Sequence, residues 1–258
     1  MGNEPIYTTS LKDRLEMLKQ SLPTWQKQPH KAILILDWDS PDQEQVAEFV
    51  KSVQDGTVYL ATVKNREFYE HSRCRNLKTA LASLCVEDIK QRFIFSIDVD
   101  IKVHNDPMVE IEEKWQSKDA LYLFGGIENG WMPHSAGTSI HTMDKFLAAG
   151  GCDEDLQGWG REDLKFFENM SAVAMKLQLS KGIIEHIPHD DRMRTKYCKE
   201  KNKWVSNAQN GLLMEKKPVV HKRDFDIEFI SPDGNVSTIG PDQGLYGEEI
   251  EEIAKNQL

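Results

Sequence analysis

Apolar residues recur along this chain with two different periods, and the switching between them lays out its elements. Ile6 to Thr9 reads as a short strand. Ser10, with Asp13 three residues on, makes a capping-box-like helix start, and Leu11, Leu15, Leu18 and Leu22 then share one face of a helix that stops near Pro23. Lys31 to Leu36 is a continuous apolar strand running into Asp37, and Gln43 to Val53 is a helix that turns Val46, Phe49, Val50 and Val53 inward. Thr57 to Val63 predicts a third strand. Asn76 to Leu84 predicts a helix with Leu77, Ala80, Leu81 and Leu84 toward the core, and Phe93 to Ile97 a fourth strand. Strands alternating with helices in this way predict an α/β chain built on a doubly wound parallel sheet, where ligands gather at the carboxyl ends of the strands.

The second half follows a looser grammar. Ala120 to Phe124 reads as a strand, Gly125 and Gly126 open the polar segment IENGWMPHSAG, and a helix lies near Met143 to Ala149. GGCDEDLQGWGRED, which follows, has the composition of an irregular loop. DIEFISPDGNVSTI predicts a hairpin turning at Pro232, Asp233 and Gly234, and YGEEIEEIAKNQL a short acidic helix. A single domain is expected: residues 1–205 form its body, and residues 206–258 are a C-terminal extension of hairpin and short helix packed on it.

Composition narrows the class. The 258 residues are enough to bury a full core, and with 39% hydrophobic and 29% charged residues no apolar run approaches the roughly 18 residues of a membrane span. A soluble protein is expected. MGNEPIYTTS lacks the order of a secretory signal, and Ile6 stands where a myristoylation signal has Ser or Thr, so the expected location is cytoplasmic. Cys74, Cys85, Cys152 and Cys198 form no CxxC pair and read as free thiols in a reducing compartment. A net charge of -10 disfavours nucleic acid as a partner. The one basic concentration, Lys196 to Lys203, is either a solvated helix face or an anion site.

Four clusters carry candidate chemistry. FIFSIDVDIKV drives a buried-looking strand into Asp98 and Asp100, two like charges whose closeness costs energy unless a lysine, water or a metal ion sits between them. Such a pair is often a mere solvated turn, yet at a strand end its hard oxygens suit Mg or Mn together with substrate phosphates. In GWGRED, Glu162 and Asp163 can simply favour the helix macrodipole, and Trp159 can be core. Alternatively, the glycines hold the chain open for a ligand and Trp159 offers a platform for a sugar ring. In EHIPHDDRMR, His186, His189, Asp190, Asp191, Arg192 and Arg194 crowd together, with His189 either a metal ligand or structural. HSRCRN offers Arg73 and Arg75 to phosphate or base, while Asn76 can be an ordinary N-cap.

In this order, TTSLKDR, LDWDSPD, RCRN, SIDVD, GGCDEDLQGWGRED and HIPHDDRMR resemble a GT-A fold glycosyltransferase, family-2-like. The resemblance covers roughly Tyr7 to Arg194, and Phe124 to Asp163 is particularly similar to the β-1,4-galactosyltransferase and chondroitin-polymerase type. It implies a Rossmann-like nucleotide-binding sheet with an acceptor-binding second half. It further implies transfer, with inversion, of a sugar from a nucleotide sugar, preferably a UDP-sugar, to a glycan or glycolipid acceptor. Asp100 would be the DXD metal ligand for Mn2+ or Mg2+, with Asp98 and His189 beside it. Thr9, Arg14, Asp37, Arg75, Asn76, Asp98 and Arg194 would surround the nucleotide, Trp159 and Glu162 would hold the acceptor, and Asp163 would be the catalytic base. Arg161 stands where the family frequently has glycine. No nucleic acid partner is implied, and peripheral membrane association is left open. Two other readings are a non-catalytic nucleotide-sugar or carbohydrate-binding protein and a sugar-nucleotide pyrophosphorylase. The latter normally carries a glycine-rich phosphate loop after its first strand, and IYTTSLKDR has no glycine.

Overall fold

The structure is a computed structural model that describes residues 4–89, 92–124, 137–190 and 195–241. At its centre are the four strands that the apolar runs predict: β1 (Ile6–Leu11), β2 (Ala32–Trp38), β3 (Val58–Val63) and β4 (Phe93–Ser96), all parallel. Alternate residues of β2 face opposite sides: Ile33 and Ile35 join one core cluster, while Leu34 and Leu36 join the other. That is why β2 reads as a continuous apolar run. Each such side chain, fully buried, contributes about 1.5–3 kcal/mol.

Helices cover both faces. On one side α1 (Leu15–Trp25), α2 (Gln43–Ser52) and α4 (Pro107–Lys114) supply Leu18, Leu22, Val46, Val50 and Ile111, and on the other α3 (His71–Leu81) supplies Leu77, Ala80 and Leu81. Beyond β4 the sheet continues with β7 (Ser139–Thr142), β6 (Ala120–Phe124) and β8 (Met175–Leu179). Because β7 runs antiparallel to both β4 and β6, the sheet is mixed rather than wholly parallel. Strand direction is a property of pairing, which an apolar run does not encode. The expected hairpin is present as β10 (Ile227–Ile230) and β11 (Val236–Ile239), and β10 pairs antiparallel with β3 to complete nine strands among the described residues. A separate two-stranded ribbon joins β5 (Ile101–Val103) to β9 (Ile184–His186).

Several local expectations are corrected. β1 runs on through Ser10, whose hydroxyl meets the Tyr69 hydroxyl at 2.7 Å instead of capping a helix. α1 passes through Pro23 to Trp25; the carbonyl that loses its donor there belongs to exposed Lys19, so water can satisfy it. α3 starts five residues before Asn76, which is therefore mid-helix and not an N-cap, and Leu84 is 49% exposed rather than core. Lys196 to Asn202 precede α7 (Lys203–Gly211) as turns, not as a helix face; Lys196 pairs with Asp13. Two further α-helices among the described residues are α5 (Met143–Ala148) and α6 (Glu162–Ser171). All four cysteines are buried and free. Among the described residues no helix is long and apolar enough to cross a membrane. The acidic C-terminal helix, most of IENGWMPHSAG, and Asp191, Arg192 and Arg194 lie outside the described residues.

Candidate active site

The turn after β4 sends its two aspartates to different partners. Ile97 N–H bonds to Thr8 O (2.9 Å), fixing the strand end, and Ile101 N–H bonds back to Asp98 O (3.1 Å). β5 then pairs with β9 so that Ile101 faces His186, Ile187 N–H bonds to Asp100 O (2.7 Å), and Trp25 Nε1 donates to Ile101 O (2.8 Å). This register brings Asp100 Oδ2 to 2.9 Å from His189 Nε2, 3.7 Å from His186 Nε2 and 3.4 Å from Arg14 Nη1. One ligand atom from each of Asp100, His186 and His189 lies within 4.8 Å of the others, a group able to coordinate a divalent metal. Burial pushes the Asp100 carboxyl up. The His189 hydrogen bond and the positive fields of Arg14, His186 and His189 outweigh it, so the group sits below the usual carboxylate range.

Asp98 is not in that group. Its backbone N–H bonds to Thr138 Oγ1 (3.3 Å), and its carboxyl lies in the field of Arg75 and Lys78 from α3. Burial raises its pKa, Arg75 and Lys78 oppose the rise, and Asp100 and Asp163 add to it. Lys78 is 1% exposed, with Nζ 3.5 Å from Ile97 O, and burial lowers its pKa to about 8. Gly137 closes this corner: a Cβ there would lie 2.7 Å from Arg75 Nη2 and closer still to Asp98 Oδ2, so a larger residue would have to displace these two side chains.

Arg75 also forms an ion pair with Asp163, linking the strand-end turn to the first turn of α6. Successive residues on a helix point about 100° apart, so Glu162 and Asp163 diverge. Glu162 is buried, with Oε2 lacking a hydrogen-bond partner among the described residues, and burial followed by the Asp163 charge pushes its pKa to about 7. The glycines before them have a reason other than ligand approach. Gly158 (φ 80°) and Gly160 (φ 100°) are overlaid by α7: a Cβ at Gly160 would lie 2.8 Å from Asn207 Oδ1, and one at Gly158 would collide with Ser206 Oγ. Trp159 is half-buried, and its backbone N–H bonds to Ser206 Oγ (2.9 Å).

Support for this corner comes from residues that sequence reasoning passed over. Lys165 and Asp153, each 1% exposed at the side chain, pair at 2.5 Å, and Lys165 Nζ also donates to Leu213 O (2.6 Å). Asn76 receives Cys152 N–H (2.7 Å) and donates to Cys152 O and Glu154 Oε1, both at 2.8 Å; Arg73 approaches Glu154 at 3.6 Å. Asn76 thus braces the GGCDED segment. The signal for this was the run of acids beside a double glycine, read as loop composition.

Toward the ends of β1 and β2, Thr9 Oγ1 and Asp37 Oδ2 are buried with no partner among the described residues, as are Tyr7 Oη and Thr8 Oγ1 earlier in β1. Asp37 Oδ1 accepts from Ser40 N–H (3.0 Å), and burial still raises the carboxyl to about 6. His186 is the metal-ready side chain that the sequence reading left out of the metal set. Its signal was a strand-end histidine three residues before His189, legible only once β9 is paired with β5.

No family model and no curated protein matches this chain. Solved structures do. The catalytic domain of Drosophila β1,4-galactosyltransferase 7 in complex with xylobiose aligns with a TM-score of 0.56 at 17% identity over 92% of each chain. A mutant of that enzyme in complex with manganese, UDP-Gal and xylobiose aligns at 0.52 with 15% identity and the same coverage. Residues 1–349 of S. aureus TarS in complex with UDP align at 0.53 with 16% identity over 70% of this chain. The match spans 59% of that TarS fragment. At these identities the likeness is one of fold: this chain has the Rossmann-like GT-A architecture.

Proposed function

We propose that the protein is a metal-dependent inverting glycosyltransferase that moves a sugar from a nucleotide sugar, preferably a UDP-sugar, to a hydroxyl of a glycan or glycolipid acceptor. The observation that carries this reading is the pairing of two chemistries at one strand end: the Asp100, His186 and His189 group on one side, and Asp163, tethered by Arg75, on the other. The unpartnered Thr9 Oγ1 and Asp37 Oδ2 support a nucleotide beside them, because buried polar atoms are normally satisfied and a base or ribose offers donors. The fold is shared with Drosophila and S. aureus proteins whose structures hold UDP-Gal or UDP, which agrees with that choice of donor.

Asp100, His186 and His189 would hold the ion, and a mixed oxygen and nitrogen set accepts Mn2+ more readily than Mg2+. When bound, the ion supplies neutralising charge to a departing nucleoside diphosphate. Asp98 sits close enough in sequence to assist the ribose or the ion. Arg14, Arg75 and Lys78 add positive potential on the protein's own account, and a diphosphate gives Arg75 a second anion to bind. Arg194 would extend this set.

A sugar hydroxyl is a poor nucleophile. Asp163 would take its proton as it attacks, and Arg75 fixes the direction of that carboxylate. Trp159 would present its ring to the acceptor sugar, with Glu162 gripping neighbouring hydroxyls. One base opposite one leaving group describes a single displacement, hence inversion. Calorimetry with UDP tests the donor half: binding strengthened by Mn2+ is expected, and equal affinity in the presence of a chelator would overturn metal dependence. Proton NMR of the product from an α-linked donor tests the rest. A β linkage is expected, an α linkage overturns inversion, and UDP binding without any turnover would make the protein a binding protein instead.

A further inference from the structure

The helix α7 is amphipathic with its faces reversed. Its inward side is polar: Ser206 and Asn210 are buried, Ser206 Oγ donates to Gln157 O (3.2 Å), and Asn210 Nδ2 donates to Gln157 O (3.1 Å) and Gly160 O (2.7 Å). Arg161 Nε donates to Asn207 Oδ1 (3.2 Å), and Asn202 caps the helix by accepting from Trp204 N–H (3.0 Å) and Val205 N–H (3.4 Å). The large apolar residues of α7 and its C-terminal cap stay in solvent: Trp204 is 66% exposed, Val205 40% and Leu212 81%. A helix normally buries its apolar stripe, so one that is firmly held by its polar face leaves its outer face for another use.

That outer face is continuous with Trp159. The Lys203 ammonium lies 5.8 Å from the Trp159 ring and 5.6 Å from the Trp204 ring, so one cation serves both indoles. Farther along, Arg161, Leu164, Glu168, Leu212 and Met214 line a cleft of about 530 Å³ between α6 and the end of α7. Arg161 reaches it from a left-handed backbone (φ 77°), a conformation that a long side chain rarely adopts.

We propose that the outer face of α7 is an extended acceptor subsite that binds the sugar units of an oligosaccharide beyond the one being modified. Trp204 stacks on a pyranose face, while Lys203 and Arg161 bond to its polar rim. The inference rests on the glycosyltransferase reading, which places the acceptor at Trp159. The surface mixes single apolar side chains with Lys203, Arg161 and Glu168, which matches a sugar's apolar face and hydroxyl edge.

The test titrates mono- to tetrasaccharides of β-1,4-xylose, β-1,4-galactose, β-1,4-N-acetylglucosamine and alternating glucuronate/N-acetylglucosamine against the full chain with UDP and Mn2+, following tryptophan fluorescence. In at least one series the wild-type protein should bind the trisaccharide at least tenfold more tightly than the monosaccharide. Trp204→Phe should keep most of that gain, and Trp204→Ala should reduce the trisaccharide to the monosaccharide's affinity. A gain that survives Trp204→Ala, or no gain in any series, overturns the subsite. So does Trp204-dependent sedimentation with phosphatidylcholine/phosphatidylserine vesicles, or Trp204-dependent dimerisation, in place of a length effect. UDP calorimetry on the wild-type protein separates the two failures. Length-dependent sugar binding without UDP binding sinks the transferase reading alone, and UDP binding without a length effect sinks the subsite alone.

Discussion

The strand-end corner around Asp100 and the helix corner around Asp163 are assembled by different means. Asp100 is placed chiefly by main chain: a parallel strand, a turn and the β5–β9 ladder set its distance to His186 and His189, and Trp25 and Thr138 add side-chain bonds to that turn and ladder. Asp163 is placed by side chains. Ser206 and Asn210 clasp the backbone before α6, Asn207 accepts from the Arg161 side chain, and Lys165 bolts α6 to Asp153 and to Leu213 O. Substitutions at the first corner should therefore alter binding while sparing the fold, and substitutions at the second should cost stability as well.

The sharpest way to break that contrast is at the buried ion pair. Lys165→Ala leaves Asp153 uncompensated and should cost about 3–5 kcal/mol in urea unfolding at neutral pH. A loss under about 1 kcal/mol would mean that the Asp163 corner does not depend on it. Next, Asp163→Asn keeps the side chain's shape and should lower turnover by roughly 100-fold or more with donor affinity nearly unchanged. Near-normal turnover would remove Asp163 as the base.

On the strand-end side, Asp100→Asn and His186→Ala should each weaken Mn2+ binding by about 10–100-fold, as measured by titration calorimetry, with less effect on melting than Lys165→Ala. Asp98→Asn should weaken it less, because Asp98 lies toward α3; an equal loss would show that Asp98 turns to the ion. Gly158→Ala should cost about 1–3 kcal/mol by forcing a methyl group into Ser206. An unfolding midpoint like that of the wild-type protein, with altered acceptor binding, would restore the ligand-approach explanation of that glycine.

The smallest effect is a pH slope. Burial raises Glu162 from 4.5 to about 7, so the native state keeps this proton longer than the unfolded chain does. The contribution to stability is complete below pH 4.5 and is lost as pH rises through about 7. Glu162→Gln should flatten that part of the melting-temperature profile, and an unchanged slope would show that Glu162 is not its source.

Much of the sheet was legible because burial on both faces leaves a local imprint. The runs at β2 and β3 and the hairpin at Pro232 to Gly234 fall where they were read. The placement of Asp98 and Asp100 just past a strand was legible for the same reason. Capping signals misled: Ser10 and Asn76 have the chemistry of helix starts, but strand pairing claims the first and a buried contact with Cys152 and Glu154 claims the second. Gly158 and Gly160 looked like a ligand's approach because the helix that presses on them lies more than forty residues away.

By itself the sequence determined the alternation of strands and helices, the apolar faces and the strand-end carboxylates, because hydrophobic period and turn chemistry act between near neighbours. Only the tertiary structure decided that His186 joins Asp100, that Arg14 reaches Asp100 across 86 positions, that Arg75 spans to Asp163, and that α7 turns Trp204 to solvent. Those outcomes depend on pairing register and on which helix lies over which loop. Contacts between distant residues set both, and no local pattern records them.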